Sequence, residues 1–191
     1  LGILSSRMKP DGNNAGGKYY TINNIYCDTD RDDVIRRSLD HPYYKEKLRI
    51  RSYGQPAMLE DNVYLELKKK IGGVVIKRRA KVKLFEAYAF ICDGIKPVTE
   101  NYLDAQVLNE IEIYLKRNPV KPKVFIAYDR LALVDKADPD LRVTFDTNLR
   151  SRRISVNLEC GSTGFPVIDK DDCVMEIKHS GAIPVWLTRV L

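Results

Sequence analysis

Charged and apolar side chains alternate residue by residue in five segments of the chain. In the first of them, Lys47, Arg49 and Arg51 alternate with Leu48 and Ile50. Similar alternation, with basic side chains in the majority, is found at residues 64–70, 75–81, 142–146 and 176–178. Successive side chains of a β-strand point to opposite faces. Each segment therefore predicts a strand with one apolar face and one charged face, and over the five segments the charge is mostly positive.

The spacing of apolar and turn residues predicts an α+β fold dominated by an antiparallel sheet. Strands are predicted at residues 19–28, 45–53, 63–71, 74–83, 122–134, 140–149 and 173–179. Helices are predicted at residues 1–9, 30–38, 84–92, 102–118 and 183–191, with irregular segments at 10–18 and 151–171. Gly72 and Gly73 form a two-residue turn typical of a hairpin, and Pro119 ends the long helix. We expect a single domain over residues 1–191.

Length and composition are those of a globular domain. The 191 residues are 44% hydrophobic and 30% charged, and the net charge is +6, so the clustering of basic residues matters more than their excess. No stretch reaches the roughly 20 apolar residues of a membrane span, and we expect no signal peptide. We predict a cytoplasmic location, which includes the cytoplasmic face of a membrane. Cys27, Cys92, Cys160 and Cys173 are scattered, which predicts free thiols and no zinc site.

Two interpretations of the charged faces are open. A face that points to water is common in antiparallel sheets and needs no ligand. However, arginine, whose planar guanidinium suits phosphate oxygens, recurs at alternate positions, and Tyr53 and Tyr64 are in phase with the charges. These arginines are Arg49, Arg51, Arg79, Arg130 and Arg142. Because clustered like charges repel unless an anion lies among them, the pattern favours a polyanion-binding surface inside a closed antiparallel barrel, which also leaves no exposed edges.

Five short motifs, taken in order, resemble a known family. They are RIRSYG at 49–54, YLELK at 64–68, YDR at 128–130, RVTFDT at 142–147 and VMEIK at 174–178. Together they resemble the VTC domain, the polyphosphate polymerase domain of the vacuolar transporter chaperone and its bacterial relatives. This domain is placed in the triphosphate tunnel metalloenzyme superfamily, alongside the CYTH proteins. The resemblance runs from about residue 19 to the end of the sequence.

The resemblance implies a tunnel-shaped antiparallel β-barrel with flanking helices. It implies a polyphosphate polymerase that transfers the terminal phosphoryl group of ATP onto a polyphosphate chain, with Mn²⁺ or Mg²⁺ as cofactor. The implied phosphate-binding residues are Arg49, Arg51, Lys68, Lys77, Arg79, Arg130, Arg142 and Lys178. The implied catalytic residues are Arg49, Arg51, Lys68, Arg130 and Arg142. Glu176 corresponds to the metal-binding glutamate of the family.

The family also has two segments that we do not find in this sequence. One is a first strand with an E-x-K or E-x-E-x-K motif, expected before residue 1. The other is a C-terminal segment with an S-K-Y/F lysine, expected after Trp186. We therefore expect a tunnel domain without its first strand and without that lysine. A membrane partner subunit, as eukaryotic relatives have, is compatible with the resemblance.

The acidic residues near the motifs have separate interpretations. Glu66 is predicted to orient neighbouring basic side chains by ion pairing rather than to bind metal. Glu176 is predicted to bind metal, and its alternative is an ion pair with Lys178 or an arginine. Asp146 either adds a carboxylate to the same face or caps the following turn. Asp28 is predicted to anchor the turn after its strand.

The remaining charged residues are predicted to be solvated or structural. Lys69 and Lys70 are assigned to the solvated surface, and Arg78 is expected to point outward from the apolar register of its strand. His179 is predicted to be a structural histidine without an evident partner. A basic cluster after residue 149 either guides polyphosphate at a tunnel mouth or forms a solvated loop. Its members are Arg150, Arg152 and Arg153.

Three functions are compatible with the sequence. Polyphosphate polymerase is the leading hypothesis, and the alternatives are a triphosphate hydrolase of the same superfamily and a non-catalytic module that binds polyphosphate or nucleotide. Nucleic-acid binding is not expected. The basic strands carry few aromatic residues spaced for base stacking, and a narrow lumen would exclude a duplex.

Overall fold

The computed structural model describes residues 2–12, 17–54 and 57–191. The strands of this part are β1 (Met8–Pro10), β2 (Tyr20–Asp28), β3 (Tyr44–Tyr53), β4 (Asn62–Ile71), β5 (Val74–Lys83), β6 (Lys121–Asp135), β7 (Arg142–Arg152), β8 (Phe165–Pro166) and β9 (Val174–Lys178). The helices are α1 (Gly2–Arg7), α2 (Asp33–Leu39), α3 (Leu84–Asp93), α4 (Tyr102–Arg117) and α5 (Val185–Thr188). The predicted α+β class, a mostly antiparallel sheet with a few helices, is confirmed.

The strands pair in the order β5-β4-β3-β2-β6-β7-β8, and β1 pairs with β6 while β9 pairs with β7. Five of these pairings are antiparallel: β2 with β3, β3 with β4, β4 with β5, β1 with β6 and β7 with β9. The order is an open path, because no pairing among the described residues joins β5 to β8. The predicted closed barrel is therefore not confirmed by the strand pairing.

The chain divides into two compact units. The large unit comprises Ile22–Ala127 and Arg150–Phe165. The small unit comprises Leu1–Thr21, Tyr128–Leu149 and Pro166–Leu191. Each unit has its own cluster of buried apolar residues.

The core of the large unit lies between one face of the sheet and helices α3 and α4. The strands contribute alternate residues, and the helices contribute residues three and four positions apart, as the two periodicities require. Its fully buried members include Leu48, Ile50, Leu65, Leu67, Ala80, Leu84, Ala87, Ile111, Phe125 and Ala127. Because the apolar residues of β3, β4 and β5 occupy this face, their charged neighbours in sequence lie on the opposite face.

The β4–β5 hairpin fixes the register of two strongly basic strands. Its turn residues Gly72 and Gly73 have φ values of 52° and 91°, in the left-handed region that glycine adopts readily. A Cβ on Gly72 would lie 2.9 Å from Cε2 of Tyr43, so a larger residue would also clash. Ile71 pairs with Val74 directly across the turn. The hairpin predicted from the two glycines is confirmed.

The short helix α2 is tied to the end of β2 by Asp28. Its Oδ1 accepts hydrogen bonds from the backbone N–H groups of Thr29 (2.7 Å) and Val34 (2.8 Å). Its Oδ2 accepts from the N–H of Ile35 at 3.0 Å. These bonds satisfy N–H groups at the start of a helix that have no partner within it. Asp28 therefore anchors the turn after β2, as predicted.

The small unit packs apolar residues of β6 and β7 against its terminal elements. The cluster contains Leu131, Leu133, Leu141 and Val143, with Leu4, Met8 and Leu187 from the ends of the chain. Phe145, Ile177 and Trp186 pack against it and are partly buried. Since Val143 and Phe145 face this cluster, Arg142, Thr144 and Asp146 lie on the other face of β7.

The first and last elements differ from the predictions. The helix predicted at residues 1–9 ends at Arg7, and Met8 starts β1 opposite Asp135 of β6. Burial of Met8, which is 3% exposed, stabilises the strand. The helix predicted at 183–191 is only the four residues of α5. Residues 13–16 of the predicted loop lie outside the described residues. Within the part described, no helix has both the length and the apolar character needed to cross a bilayer.

Candidate functional site

Three arginines share one buried carboxylate on the charged face of the large unit. Arg49 of β3 and Arg79 of β5 stand opposite Glu66 of β4, on its two sides. Arg49 Nε donates to Glu66 Oε2 at 2.6 Å, and Arg79 Nε donates to Oε1 at 2.8 Å. Arg51 Nε lies 3.8 Å from Oε2. Glu66 is 8% exposed. It orients the surrounding arginines by ion pairing, as predicted.

The charge state of Glu66 is set by two opposing influences. Burial favours the neutral acid, but the guanidinium charges of Arg49 and Arg51 outweigh it and lower the pKa of Glu66. The carboxylate is therefore ionised at neutral pH. One negative charge faces three positive ones, so the cluster keeps a positive excess that a second anion can neutralise.

Aromatic hydroxyls and rings hold the arginine side chains in place. Arg49 Nη1 donates to Tyr26 Oη at 3.0 Å, and Arg79 Nη2 donates to Tyr53 Oη at 3.1 Å. The Arg79 guanidinium also lies 4.5 Å from the ring centroid of Tyr64, a cation–π distance. An arginine has five N–H donors, more than these contacts use. Arg49 and Arg79 are thus preorganised and still able to donate to phosphate oxygens.

A row of lysines lies beside the arginine cluster on the same face. Lys47, Lys68 and Lys77 stand opposite one another on β3, β4 and β5. Like charges directly opposite on neighbouring strands are destabilising. Burial, followed by the charges of Lys45 and Lys68, lowers the pKa of Lys47, against an opposing effect of Asp28. The row is a cationic surface whose mutual repulsion a bound anion would relieve.

The lowered pKa of Lys47 predicts proton uptake when tripolyphosphate binds at alkaline pH. A phosphate beside Lys47 favours its charged form and raises its pKa, so Lys47 gains a proton at pH values between its lowered and its raised pKa. Calorimetric titrations in buffers of different ionisation enthalpy measure this uptake. Lys47→Met should reduce it, whereas Lys116→Met, at an exposed helical position, should not. The same uptake in Lys47→Met as in the wild type would contradict the assignment.

A third row completes the charged face. Asn24, Arg51, Tyr64 and Lys81 stand in register across β2, β3, β4 and β5. Arg51 Nε donates to Asn24 Oδ1 at 2.9 Å, and Arg51 is 8% exposed. Sequence reasoning did not single out Asn24 and Tyr26, although both alternate with the buried Ile25 and Cys27. That alternation was the available signal. The predicted site residues also omitted Lys47 and Lys81, which lie on the same face.

The small unit has a charged face of its own on β6, β7 and β9. Arg130 Nε and Nη2 donate to Asp146 Oδ1 and Oδ2 at 2.6 and 2.7 Å, a bidentate pair. Burial opposes the charge of Arg130, but hydrogen bonding to Asp146 prevails and raises its pKa. The Arg130 guanidinium lies 5.2 Å from the ring centroid of Tyr128. Asp146 is thus on the charged face, as the ion-pair partner of Arg130.

Other predicted site residues of the small unit lie opposite one another on β7 and β9. Arg142 stands opposite Lys178, and Thr144 stands opposite Glu176. Residues opposite one another in a pair of strands share a face. Lys178 Nζ lies 3.3 Å from Glu176 Oε1, and the two side chains are 45% and 47% exposed. The ion pair considered as the alternative for Glu176 is therefore present, in an exposed setting where it contributes little.

The donors around Glu176 fit a metal that arrives with phosphate. No group of three His, Cys, Asp or Glu that could hold a metal ion is found in the described part of the chain, so a cation cage made by the protein is absent there. Mg²⁺ and similar ions bound with phosphates need only one or two carboxylates. Glu176 supplies one. Opposite it, Thr144 Oγ1 is buried without a hydrogen-bond partner among the described residues, and it can meet a coordinated water or a phosphate oxygen.

Two basic residues on the apolar register of β4 and β5, Lys69 and Arg78, contact helix α4. Lys69 Nζ lies 2.8 Å from Glu110 Oε2 and 3.6 Å from Glu46 Oε1, with 21% of its side chain exposed. Arg78 Nε lies 2.9 Å from Glu110 Oε1. Both residues lie on the face that carries the helices, where α4 offers a carboxylate to their charges. The prediction for Lys69 was therefore wrong, whereas Arg78 lies on the apolar register of its strand, as predicted, and is ion-paired there.

In the basic cluster after residue 149, Arg150 and Arg152 are bound to neighbouring backbone, and Arg153 is exposed and ion-paired. Arg150 Nε donates to the carbonyl of Ser162. Arg152 lies 3.5 Å from the ring centroid of Phe125 and donates to four carbonyl oxygens. Those carbonyls belong to Ser155, Asn157, Gly161 and Thr163. Arg153 pairs with Asp32 at 3.1 Å. The cluster thus orders the loop that follows β7.

His179 has an acidic partner, and the cysteines are free thiols. His179 Nε2 lies 2.9 Å from Asp138 Oδ2, so the histidine has the partner that was not evident from the sequence. Its pKa is raised, chiefly by that hydrogen bond. The four cysteines, all within the described residues, are free, and Cys27 alone among them is buried. The prediction of free thiols is confirmed.

The fold and the two charged faces define an α+β domain suited to phosphorylated anions. The chain matches the VTC domain over residues 2–191 and therefore belongs to the VTC domain family. The family inferred from the five motifs is confirmed. Among solved structures, the chain is similar to a "putative adenylate cyclase" from Bacillus halodurans, with 14% identity and a TM-score of 0.51 over 92% of this chain and 79% of that chain. At that identity the likeness shows the fold alone. No curated protein matches the chain.

Proposed function

We propose that this VTC domain is a polyphosphate polymerase, which transfers the terminal phosphoryl group of ATP onto a polyphosphate chain. The observation that carries the proposal is the cationic face of the large unit. There, Arg49, Arg51 and Arg79 share Glu66 beside the row formed by Lys47 and its partners on β4 and β5. Such a face neutralises consecutive phosphates, and its arginines are already oriented before any ligand arrives.

The two kinds of basic side chain have different tasks in this proposal. Lysine ammonium groups act as point charges on flexible stems, so Lys68 and Lys77 follow phosphates that move past them during elongation. Arginine presents a planar fork that fits two oxygens of one phosphate. Arg49 and Arg79, fixed by Glu66 and the tyrosine hydroxyls, hold the reacting phosphate in one orientation. Arg130, Arg142 and Lys178 of the small unit are proposed to bind further phosphates.

The reaction requires positioning and charge neutralisation more than acid–base chemistry. A terminal oxygen of the chain attacks the γ-phosphorus, the bond from that phosphorus to the β–γ bridging oxygen breaks, and ADP leaves with those electrons. The attacking oxygen is already anionic at neutral pH, because the second pKa of a phosphate group is about 6. No general base is needed. Arg49 and Arg79 stabilise the negative charge that is spread over the equatorial oxygens in the transition state.

Glu176 and Thr144 are proposed to hold a divalent cation that accompanies the nucleotide. When bound, Mn²⁺ or Mg²⁺ would act as a Lewis acid that neutralises part of the phosphate charge. Lys178 lies within ion-pair distance of Glu176. Because both side chains are half-exposed and their mutual attraction is small, Lys178 would be able to pair with a phosphate instead.

Product analysis tests the proposed reaction directly. Incubation with ATP and Mn²⁺ should yield polyphosphate chains together with ADP, detected by gel electrophoresis and nucleotide chromatography. Release of inorganic phosphate without chains would identify the hydrolase instead. A folded, metal-supplied preparation that gives neither product would remove both enzymatic functions.

Glu176→Gln is expected to raise the Mn²⁺ concentration needed for half-maximal synthesis about tenfold or more, because a carboxylate ligand becomes a neutral amide. Electron paramagnetic resonance of Mn²⁺ with tripolyphosphate present measures the binding independently of turnover. Glu159→Gln, which alters an exposed carboxylate hydrogen-bonded to Tyr88, is the control. Unchanged Mn²⁺ affinity in Glu176→Gln would contradict the assignment.

One observation favours a non-catalytic binding module as a second candidate. The in-register arginines and lysines of β3, β4 and β5 neutralise phosphate charge themselves, so binding of polyphosphate on this face does not itself require a metal. Tripolyphosphate binding that is unaffected by EDTA, with no turnover of ATP under any metal condition, would support this candidate over the enzyme.

The enclosed tunnel of the family is part of the proposal, as are a cytoplasmic location and a membrane partner subunit. An enclosed passage retains the growing chain, so it predicts processive synthesis. Long polyphosphate should then appear early, while most of the primer is still unextended. A ladder of products that all lengthen together would argue against a tunnel and leave the cationic face as an open binding surface.

A further inference from the structure

A basic pocket lies in the large unit, away from the charged sheet face, between α2 and the end of α4. We name it the α2 pocket. Its volume is about 590 Å³, within the range of roughly 300–1,000 Å³ that small-molecule sites occupy. Its basic lining residues are Arg31, Arg36, Arg37 and Arg117. No residue of the three rows on the sheet face lines this pocket.

Two arginines of the α2 pocket donate hydrogen bonds to neutral partners. Arg36 Nε donates to the carbonyl of Arg31 at 3.0 Å. Arg37 Nε donates to the carbonyl of Asp33 at 3.2 Å, and its Nη2 donates to Asn118 Oδ1 at 3.3 Å. None of the four arginines forms an ion pair with a carboxylate in the described part of the chain. This differs from Arg49 and its neighbours on the sheet face, which share Glu66.

Three carboxylates also line the pocket, and one of them is ion-paired with a lysine. Asp30 Oδ1 lies 2.5 Å from Lys121 Nζ, and this contact lowers the pKa of Asp30. Asp33 Oδ2 accepts a hydrogen bond from the hydroxyl of Thr29 at 2.6 Å. Asp40, at the C-terminal end of α2, is the remaining lining carboxylate. Four guanidinium groups and three carboxylates line the pocket, and Lys121 offsets the charge of Asp30, so the pocket has a positive excess.

A smaller cavity of about 210 Å³ has Arg37, Asp40 and Asn118 in common with the α2 pocket. Tyr114 lines it and is 3% exposed. The Tyr114 hydroxyl is buried without a hydrogen-bond partner among the described residues. Burial of an unsatisfied hydroxyl is unfavourable, so a ligand atom that reaches this hydroxyl gains a hydrogen bond that the protein leaves unmade.

We propose that the α2 pocket is a second binding site for a multiply phosphorylated ligand. The phosphates contact Arg36, Arg37 and Arg117, and the remainder of the ligand extends towards Tyr114. A nucleotide and a short inorganic polyphosphate both carry this chemistry. The site does not depend on the proposed function, because it requires only that phosphate binds away from the sheet face.

Binding stoichiometry tests the second site. Wild-type protein titrated with tripolyphosphate by calorimetry should bind at two sites. The double variant Arg36→Gln, Arg117→Gln should lose one of them, with at least about tenfold weaker binding there. The variant Lys68→Gln, Arg79→Gln should lose the other. Lys116→Gln, adjacent to Arg117 but outside the pocket lining, carries the same charge change and should keep both sites.

A measurement on unaltered protein removes any dependence on variant folding. Nuclear magnetic resonance signals of the Arg36 and Arg37 Nε–H groups should shift during a tripolyphosphate titration. A parallel titration with ATP identifies the source of the phosphates, since a nucleotide that uses the Tyr114 cavity should bind the α2 pocket more tightly than tripolyphosphate does. Unshifted Arg36 and Arg37 signals, or one wild-type site that only the sheet-face variant abolishes, would overturn this inference and leave the polymerase proposal intact.

Discussion

Arg79→Gln is expected to weaken tripolyphosphate binding about tenfold or more and to lower polyphosphate synthesis about 100-fold. Arg79 stands opposite Glu66 and donates to Tyr53, so its guanidinium is fixed on the charged face of β5. Glutamine retains a polar side chain but loses the charge and the fork. The loss should be larger in synthesis than in binding. The fixed guanidinium of Arg79 stabilises the charge on the transferred phosphoryl group in the transition state more than it stabilises the bound ligand.

The adjacent residue provides a matched control. Arg78 is on the same strand and differs from Arg79 by one position, but it lies on the helix-bearing face and pairs with Glu110. Arg78→Gln makes the same chemical change and should leave binding and synthesis near wild-type levels, with a stability loss within about 1 kcal/mol. Equal losses in the two variants would mean that overall charge, rather than the charged face, determines phosphate binding.

Glu66→Gln is expected to lower the free energy of unfolding by about 2 kcal/mol in the absence of anions. Removal of one partner from a buried charge cluster typically costs about 3–5 kcal/mol, and the value here is smaller because the Arg79 side chain stays 46% exposed. Tripolyphosphate should raise the melting temperature of Glu66→Gln more than that of the wild type, because the added anion replaces the missing carboxylate among the arginines. Denaturant unfolding with and without tripolyphosphate measures both effects.

The pH dependence of stability gives a second test of Glu66. Its pKa is lowered in the folded protein, so its stabilising contribution is fully present above the pKa of the unfolded chain. That contribution is lost as the pH falls through the lower, folded pKa. Wild-type protein should therefore lose stability towards acid more steeply than Glu66→Gln. Equal acid dependence, or a Glu66→Gln variant as stable as the wild type at neutral pH, would contradict the role given to Glu66.

Sequence alone predicted the sides of the strands on which the site residues lie. Alternation places Arg49 and Arg51 on one face because Leu48 and Ile50 must be buried, and it does the same for Arg79 beside Ala80. The Gly72-Gly73 turn then fixes the register of β4 and β5. The alternation of apolar residues and the turn are local properties of the sequence. The face of each side chain and the register of the hairpin can therefore be derived from short segments.

Pairings between distant residues were not predictable in the same way. The contact of Lys69 with Glu110 spans 41 positions in the sequence, and that of His179 with Asp138 spans 41 as well. Such pairs depend on how a helix or loop packs onto the sheet, which no local pattern specifies. The same holds for Arg152, whose four carbonyl partners are set by the course of the following loop. The strand at Met8 escaped notice because three residues are too few to show a period.

The central claim is that phosphate binds on the sheet face formed by Arg49, Lys68, Arg79 and their in-register neighbours. A crystal structure with tripolyphosphate and Mn²⁺ tests it most directly, because anomalous scattering locates the Mn²⁺ independently. We expect phosphate oxygens within hydrogen-bond distance of Arg49, Lys68 and Arg79, and an anomalous peak beside Glu176. Well-ordered tripolyphosphate bound elsewhere, with the sheet face in contact with water alone, would contradict the account.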